Sequence, residues 1–262
     1  EVLKELVKTR YDVFIDFGPC EIIYLESIKE PVIGRGHYEP LKHYAEVHLR
    51  LEPAPRGAGI TFASQMHVDQ LAESYQNLIR SHVLERCHKG ILTGSPLSDV
   101  HITLVAGAAH ELHTSGGDFL EATCRAIRQG LEKADNVLLE PYYEFEIEVC
   151  LNLLGRVLHD VQLAHGQFLP PKTTDCKAVI KGMVPVVNFM NYGVELMSFT
   201  KGEGRLTLQV KGYDVCHNPT EVIKKYNYDK FADRLNPSAS IFCAKGSGFV
   251  VPWDEADAFM HC

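Results

Sequence analysis

Five side chains able to move protons or exchange hydrogen bonds, His110, Glu111, His113, Thr114 and Ser115, crowd into the stretch GAAHELHTSGGDF between Gly107 and Phe119. Imidazole beside carboxylate and hydroxyl suits acid–base work, and equally suits contact with a polar surface. Ala108 and Ala109 add no polar function, and Gly116 and Gly117 let the backbone turn freely. A hydrolase would use His110 or His113 with Asp118, but no local nucleophile motif of the GxSxG kind occurs, and HExxH is absent too. No GxxxxGK[ST] run is present either, so a phosphate-cradling loop is lacking. The stretch therefore reads as a recognition tip, or else as an ordinary connection with solvated histidines. No residue is assigned a catalytic role.

The thirteen histidines and eight cysteines do not form a metal-binding framework in sequence. The cysteines lack any CxxC spacing, which points to a reducing compartment. Cys87-His88, Cys216-His217 and His261-Cys262 are immediate neighbours, whereas structural zinc ligands are usually separated by two to four residues, so no metal site is expected. A net charge of -8 argues against holding nucleic acid, DNA above all, by bulk positive potential, although local contacts remain open. No apolar run is long enough to span a bilayer, and Leu3, Leu6 and Val7 sit on one face of a charged amphipathic helix rather than in a leader. The expectation is a cytoplasmic monomer without a membrane partner.

Rigid elements flank the polar stretch. Val100, Ile102 and Leu104 alternate as a strand before it, and Phe119, Ala122, Ala126, Ile127, Leu131 and Ala134 recur at helical spacing after it. Residues 1–30 read as a helix and two short strands, around VFIDF and IIYL with a turn at Gly18-Pro19. That is too little to fold alone and resembles the end of a larger domain. From 31 to 140 the order is strands, helix, strand, helix: Ala45, Val47, Leu49 and Leu51 alternate with Glu46, His48, Arg50 and Glu52 in a half-buried strand, and Val68 to Val83 form an amphipathic helix. From 141 to 215, Tyr143, Phe145, Ile147 and Val149 open a β-α-β-β-α-β series, the ferredoxin-like plan. Residues 216–262 predict a helix near Val222 and a strand pair turned at Gly246 to Gly248, with Trp253 packing inward. The fold class is α+β and multidomain.

GRGHY at 34–38, AEVHLRLEP at 45–53, LTGSPLSDVHITL at 92–104, VLLEP at 137–141 and LMSFTKGEGRLTLQVKGYDV at 196–215 resemble, in this order, the carboxy-terminal half of elongation factor G. QLAESYQNLI at 70–79 and LLEPYYEFEI at 138–147 resemble even more its relatives, the tetracycline ribosomal protection proteins. The resemblance implies that 1–30 end domain III, 31–140 are domain IV of ribosomal-protein-S5-domain-2-like fold, 141–215 are a ferredoxin-like domain V, and 216–262 are a carboxy-terminal extension. It implies that GTP and magnesium belong to a missing amino-terminal domain, that this part has no cofactor and is not itself a GTPase, and that the parent is a ribosome-stimulated one. The implied partner is the ribosome, through RNA of the decoding region and of the GTPase-activating region. Two tip loops would reach that RNA: Gly34, Arg35, Gly36, His37 and Tyr38, with Arg35 forking onto a phosphate, and His110, Glu111, Leu112, His113, Thr114, Ser115, Gly116 and Gly117. AHELHTS at 109–115 is similar to the YHDVDSS-like segment of the elongation factor, whereas the tyrosines and prolines that protection proteins place there are absent. The implied function is release of tetracycline by insertion of domain IV into the decoding site; the alternative is translocation by an elongation factor G paralogue.

Overall fold

Period-two alternation of apolar residues generates two six-stranded sheets in the computed structural model, which describes residues 2–18 and 20–262. Helix α1 (Val2–Tyr11) is followed by β1 (Leu25–Ile28), β2 (Val32–Tyr38), β3 (Ala45–Pro53), β4 (Ile60–Ser64), α2 (Glu73–Glu85), β5 (Val100–Ala109) and α3 (Gly116–Lys133). Next come β6 (Asn136–Cys150), α4 (Leu154–Leu163), β7 (Gln167–Phe168), β8 (Lys172–Thr173), β9 (Lys177–Pro185), α5 (Val186–Phe189), α6 (Tyr192–Phe199) and β10 (Arg205–Val215). Helix α7 (Pro219–Tyr226) and the hairpin β11 (Ser240–Ala244) and β12 (Ser247–Val251) complete the order.

The first sheet runs β12-β11-β2-β3-β5-β4, antiparallel except for the β11–β2 and β4–β5 pairs. Val47, Leu49 and Leu51 of β3 and Val100, Ile102 and Leu104 of β5 point to one face, where they bury Phe119, Ala122, Ala126 and Leu131 of α3 and Ile79 and Val83 of α2. Removing that apolar area from water is the main stabilising term, of order 1.5–3 kcal/mol for each large side chain. The opposite face of β3 departs from the half-buried expectation. Glu46 and His48 are buried, because residues 240–262 return to cover this face.

The second sheet places β10 along one edge of β6, and β1 and then β9, itself paired to β7 and β8, along the other. This is the ferredoxin-like plan, with α4, α5 and α6 packed over Phe145, Ile147, Val149, Ile180 and Val184. Its second strand is broken into β7 and β8 around Pro170-Pro171, since proline cannot donate to the ladder. Strand β6 continues unbroken through residue 140, serving both β1 and the later strands.

Residues 12–18 and 20–24 form no strand, contrary to the reading of VFIDF and IIYL. Phe14, Phe17 and Ile23 are exposed there, and α1 buries none of its residues, so the alternation has no sheet to pair with. The turn expected at Gly18-Pro19 includes Pro19, which lies outside the described residues. No helix among the described residues is long and apolar enough to cross a membrane.

Candidate functional site

The stretch Gly34–Tyr38 is a strand, not a loop. It forms most of β2, paired residue for residue with β3, and its alternation sends neighbouring side chains to opposite faces. Gly34 and Gly36 face α3 so closely that a Cβ would lie 2.0 Å from the carbonyl oxygens of Ala126 and Ala122, respectively. The close approach these glycines permit is that of the protein's own helix. Tyr38 lies on the same face, under the Arg125 guanidinium at 5.1 Å.

Arg35 and His37 face the returning segment. Arg35 pairs with Asp257 at 2.6 Å, and its backbone N–H donates to Gln129. His37 is fully buried, stacked 4.3 Å from Phe242, with Nδ1 2.9 Å from Glu46 and Nε2 3.2 Å from Glu39. Glu46 also accepts from His48 Nε2 at 2.8 Å and from the backbone N–H groups of His261 and Cys262, both at 2.9 Å. Burial alone would raise the Glu46 pKa, but these donors overturn it and hold the carboxyl well below the usual carboxylate range. The first predicted tip is thus an internal strand whose polar groups are already spoken for.

His110, Glu111, Leu112 and His113 stand at the far end of the same sheet, exposed in a single turn. The turn is ordered. The N–H groups of His113 and Thr114 donate to the His110 carbonyl, the His110 N–H donates to Thr114 Oγ1, and that hydroxyl donates to the Tyr44 carbonyl at 2.6 Å. The two imidazoles stack at 4.4 Å and 14°. Gly116 and Gly117 do not loosen the loop as expected; they form the first turn of α3 with ordinary helical backbone. Asp118, at the third position of the helix, accepts from the Ser115 N–H at 2.8 Å and from His43 Nδ1 at 2.8 Å. That is half of a capping box, and it also fixes the neighbouring connection between β2 and β3.

That connection, residues 39–44, was missed by sequence reasoning. Leu41 is 61% exposed, Tyr44 touches the 110–115 turn through Thr114 and His43 holds Asp118 just behind it, so the exposed end consists of two adjacent segments. The signal available was its position between two alternating strands. His261 adds a third element, stacked on Tyr44 at 5.9 Å. The arrangement offers imidazoles, a carboxylate, a hydroxyl and Leu112 on a small rigid projection. His110 and His113 stack on each other, and Asp118 is buried beneath Ser115 and His43, so the carboxylate expected to serve a hydrolase instead caps the helix.

Comparison with known proteins covers nearly all of this architecture. The sequence model of elongation factor G, domain IV, matches residues 20–135, and that of the elongation factor G C-terminus matches residues 137–222. The tetracycline resistance protein TetP of Clostridium perfringens is 31% identical over 232 residues, which are 87% of this chain and 35% of TetP. Elongation factor G of Aquifex pyrophilus is 28% identical over 238 residues, 89% of this chain and 34% of the factor. A crystal structure of a protein from Thermus thermophilus superposes with a TM-score of 0.75 at 27% identity, covering 87% of this chain and 35% of that one. The chain spans about a third of the length of the curated relatives it matches. With domain IV followed directly by the carboxy-terminal domain, and relatives of both kinds along most of its length, the chain belongs to the elongation factor G family.

Proposed function

We propose that this chain is the ribosome-contacting part of a translational GTPase of the tetracycline-protection type, and that the turn at residues 110–115, backed by Leu41 and Tyr44, is the surface that meets ribosomal RNA in the decoding region. The observation that carries the reading is mechanical. A turn that contributes nothing to either core is held rigidly by β5, by the capped start of α3 and by Thr114 on Tyr44. Rigid support lowers the ordering entropy that a recognition loop must otherwise lose on binding. Stacked imidazoles suit splayed bases, and Leu112, 86% exposed, suits an apolar base face. GTP hydrolysis belongs to a domain outside this sequence, and the ferredoxin-like domain would lie near the GTPase-activating region.

A second reading, translocation by an elongation factor G paralogue, is favoured by the similar match to the Aquifex factor and by the AHELHTS turn. One exchange tests both. Replacing His110–Ser115 by a Gly-Ser linker in the full-length protein should leave the melting temperature within a few degrees, because the turn buries no apolar side chain. It should abolish rescue of translation in tetracycline. Retained rescue would remove the tip from the mechanism, and a codon-length shift of messenger RNA in a toeprinting assay with the unaltered protein would favour the translocase.

A further inference from the structure

The fold brings together a set of side chains that sequence spacing set aside. Glu140 lies in the first third of β6, opposite Asp214 of β10 and one residue past the last pairing with β1. Seventy-odd residues later the chain leaves β10 and passes straight across it: the Cys216 N–H donates to the Leu138 carbonyl, and the His217 N–H donates to Glu140 Oε1 at 2.7 Å. His217 Nδ1 is 2.6 Å from the same carboxylate oxygen. Glu140 and Cys216 are buried, and a carboxylate oxygen, the thiol sulfur and an imidazole nitrogen all lie within 4.8 Å of one another. The other carboxylate oxygen, Glu140 Oε2, is buried with no hydrogen-bond partner among the described residues.

We infer that Glu140, Cys216 and His217 bind one divalent ion of the zinc class, which ties the chain leaving β10 to β6 at the junction of the two sheets. A carboxylate, a thiolate and an imidazole form a donor set that excludes magnesium and calcium, which take oxygen ligands, and suits a borderline ion in tetrahedral coordination. Binding releases the thiol proton and moves the His217 ring proton from Nδ1 to Nε2, so the ion replaces the hydrogen bond to Glu140 and satisfies the orphaned oxygen. Around it, the His165 ring packs 4.6 Å from that of His217, and the Asn188 amide, anchored on the Ala164 carbonyl, meets His217 Nε2 at 3.2 Å. The His165 contact fixes the plane of the imidazole, and with Nδ1 on the ion the proton on Nε2 requires the Asn188 amide to turn its oxygen toward the ring, giving up Ala164.

The adjacent Cys-His pair is therefore no obstacle, because the third ligand comes from a strand far away in sequence. The other cluster of the same kind among the described residues, His37, Glu46 and His261, is different. Its carboxylate already accepts from two imidazoles and two backbone N–H groups, leaving no vacancy for an ion.

Cobalt(II) titrated into the purified full protein is the test. One equivalent should give intense visible ligand-field bands of a tetrahedral site and a near-ultraviolet thiolate-to-cobalt band, both displaced by zinc. Cys216→Ser should lose the thiolate band, His217→Gln should weaken cobalt affinity at least about tenfold, and Cys262→Ser should change neither. Zinc should raise the melting temperature of the unaltered protein. If Cys216→Ser does not fold, His217→Gln and the unaltered protein decide. Absence of the tetrahedral spectrum in the unaltered protein, or its persistence in Cys216→Ser or at full affinity in His217→Gln, overturns the site and leaves Glu140 as a hydrogen-bond anchor only.

Discussion

Gly36→Ala separates a strand glycine from a loop glycine. In β2 the added methyl would stand 2.0 Å from the Ala122 carbonyl oxygen and 2.4 Å from the Ala126 nitrogen. Ordinary contact starts at 3.4 Å, so α3 must retreat by 3.4 − 2.0, about 1.4 Å, or the strand must shift as far. Neither obstacle is the end of a flexible side chain; both are helix backbone, and α3 carries Phe119, Ala122, Ala126 and Leu131 into the core with it. Overpacking of this kind costs typically about 1–3 kcal/mol and more where backbone must move, so about 3 kcal/mol is the expected loss. For a protein of this size that lowers the melting temperature by roughly 6–12 °C. Gly117→Ala is the control: none of the described residues lies within 4 Å of its added methyl, the site is helical, and helix propensity favours alanine by up to about 1 kcal/mol. The assay is thermal unfolding of both variants by circular dichroism. If Gly36→Ala melts within about 2 °C of the parent, using the same size scaling, the close approach of α3 to β2 is wrong, and Gly36 could again belong to a mobile RNA-facing loop.

Glu46 makes docking of residues 240–262 dependent on pH. Its folded pKa lies below the unfolded value of 4.5, so its stabilisation is fully present above that value and is lost as pH falls through the folded one. Trp253, the chain's one tryptophan, lies in the docked segment and its carbonyl accepts from Gln129, so its fluorescence during an acid titration reports release; Glu46→Gln should flatten that dependence, and an unchanged profile would place the acid-labile contact elsewhere. Arg35→Ala removes a partly exposed ion pair to Asp257 and should cost about 0–1 kcal/mol. It should leave the salt dependence of ribosome binding unaltered, whereas a slope reduced by about one would show that Arg35 meets a phosphate after all.

How much of this was legible in sequence follows from how each element hides its faces. Tyr143 to Val149 could be read because β6 is one-sided there: its glutamates point to water, with Glu146 and Glu148 paired to Lys181 and Lys177 of β9. The core face of β3 could be read for the same reason, but Glu46 and His48 could not, because the cover on their side arrives two hundred residues later and announces itself by no local pattern. The GRGHY segment misleads by composition. Two glycines within five residues look like a turn, yet here they make one face of a strand small enough for a helix to lie on it. The 110–115 turn was legible as a polar insertion between a clear strand and a clear helix, although its order, set by Thr114 on Tyr44, was not.

The cover that hides Glu46 and His48 bears on what the molecule can do. Residues 240–262 act as a second cover on the first sheet, adding β11 to the edge beside β2, covering the face opposite α3 with Phe242 and His261, and tying Asp257 to Arg35 and to Gln129 and Lys133 of α3. Strand β2 is thereby clamped between two layers, and β3, which leads from the 39–44 connection, is clamped with it. Movement of the 110–115 turn relative to the sheet is opposed from both sides, since Tyr44 is held by Thr114 from one direction and by the His261 ring from the other. Bracing of this kind is what the proposed role of the turn at the decoding region requires. Loss of the docked segment should therefore impair the tip before it unfolds the domain.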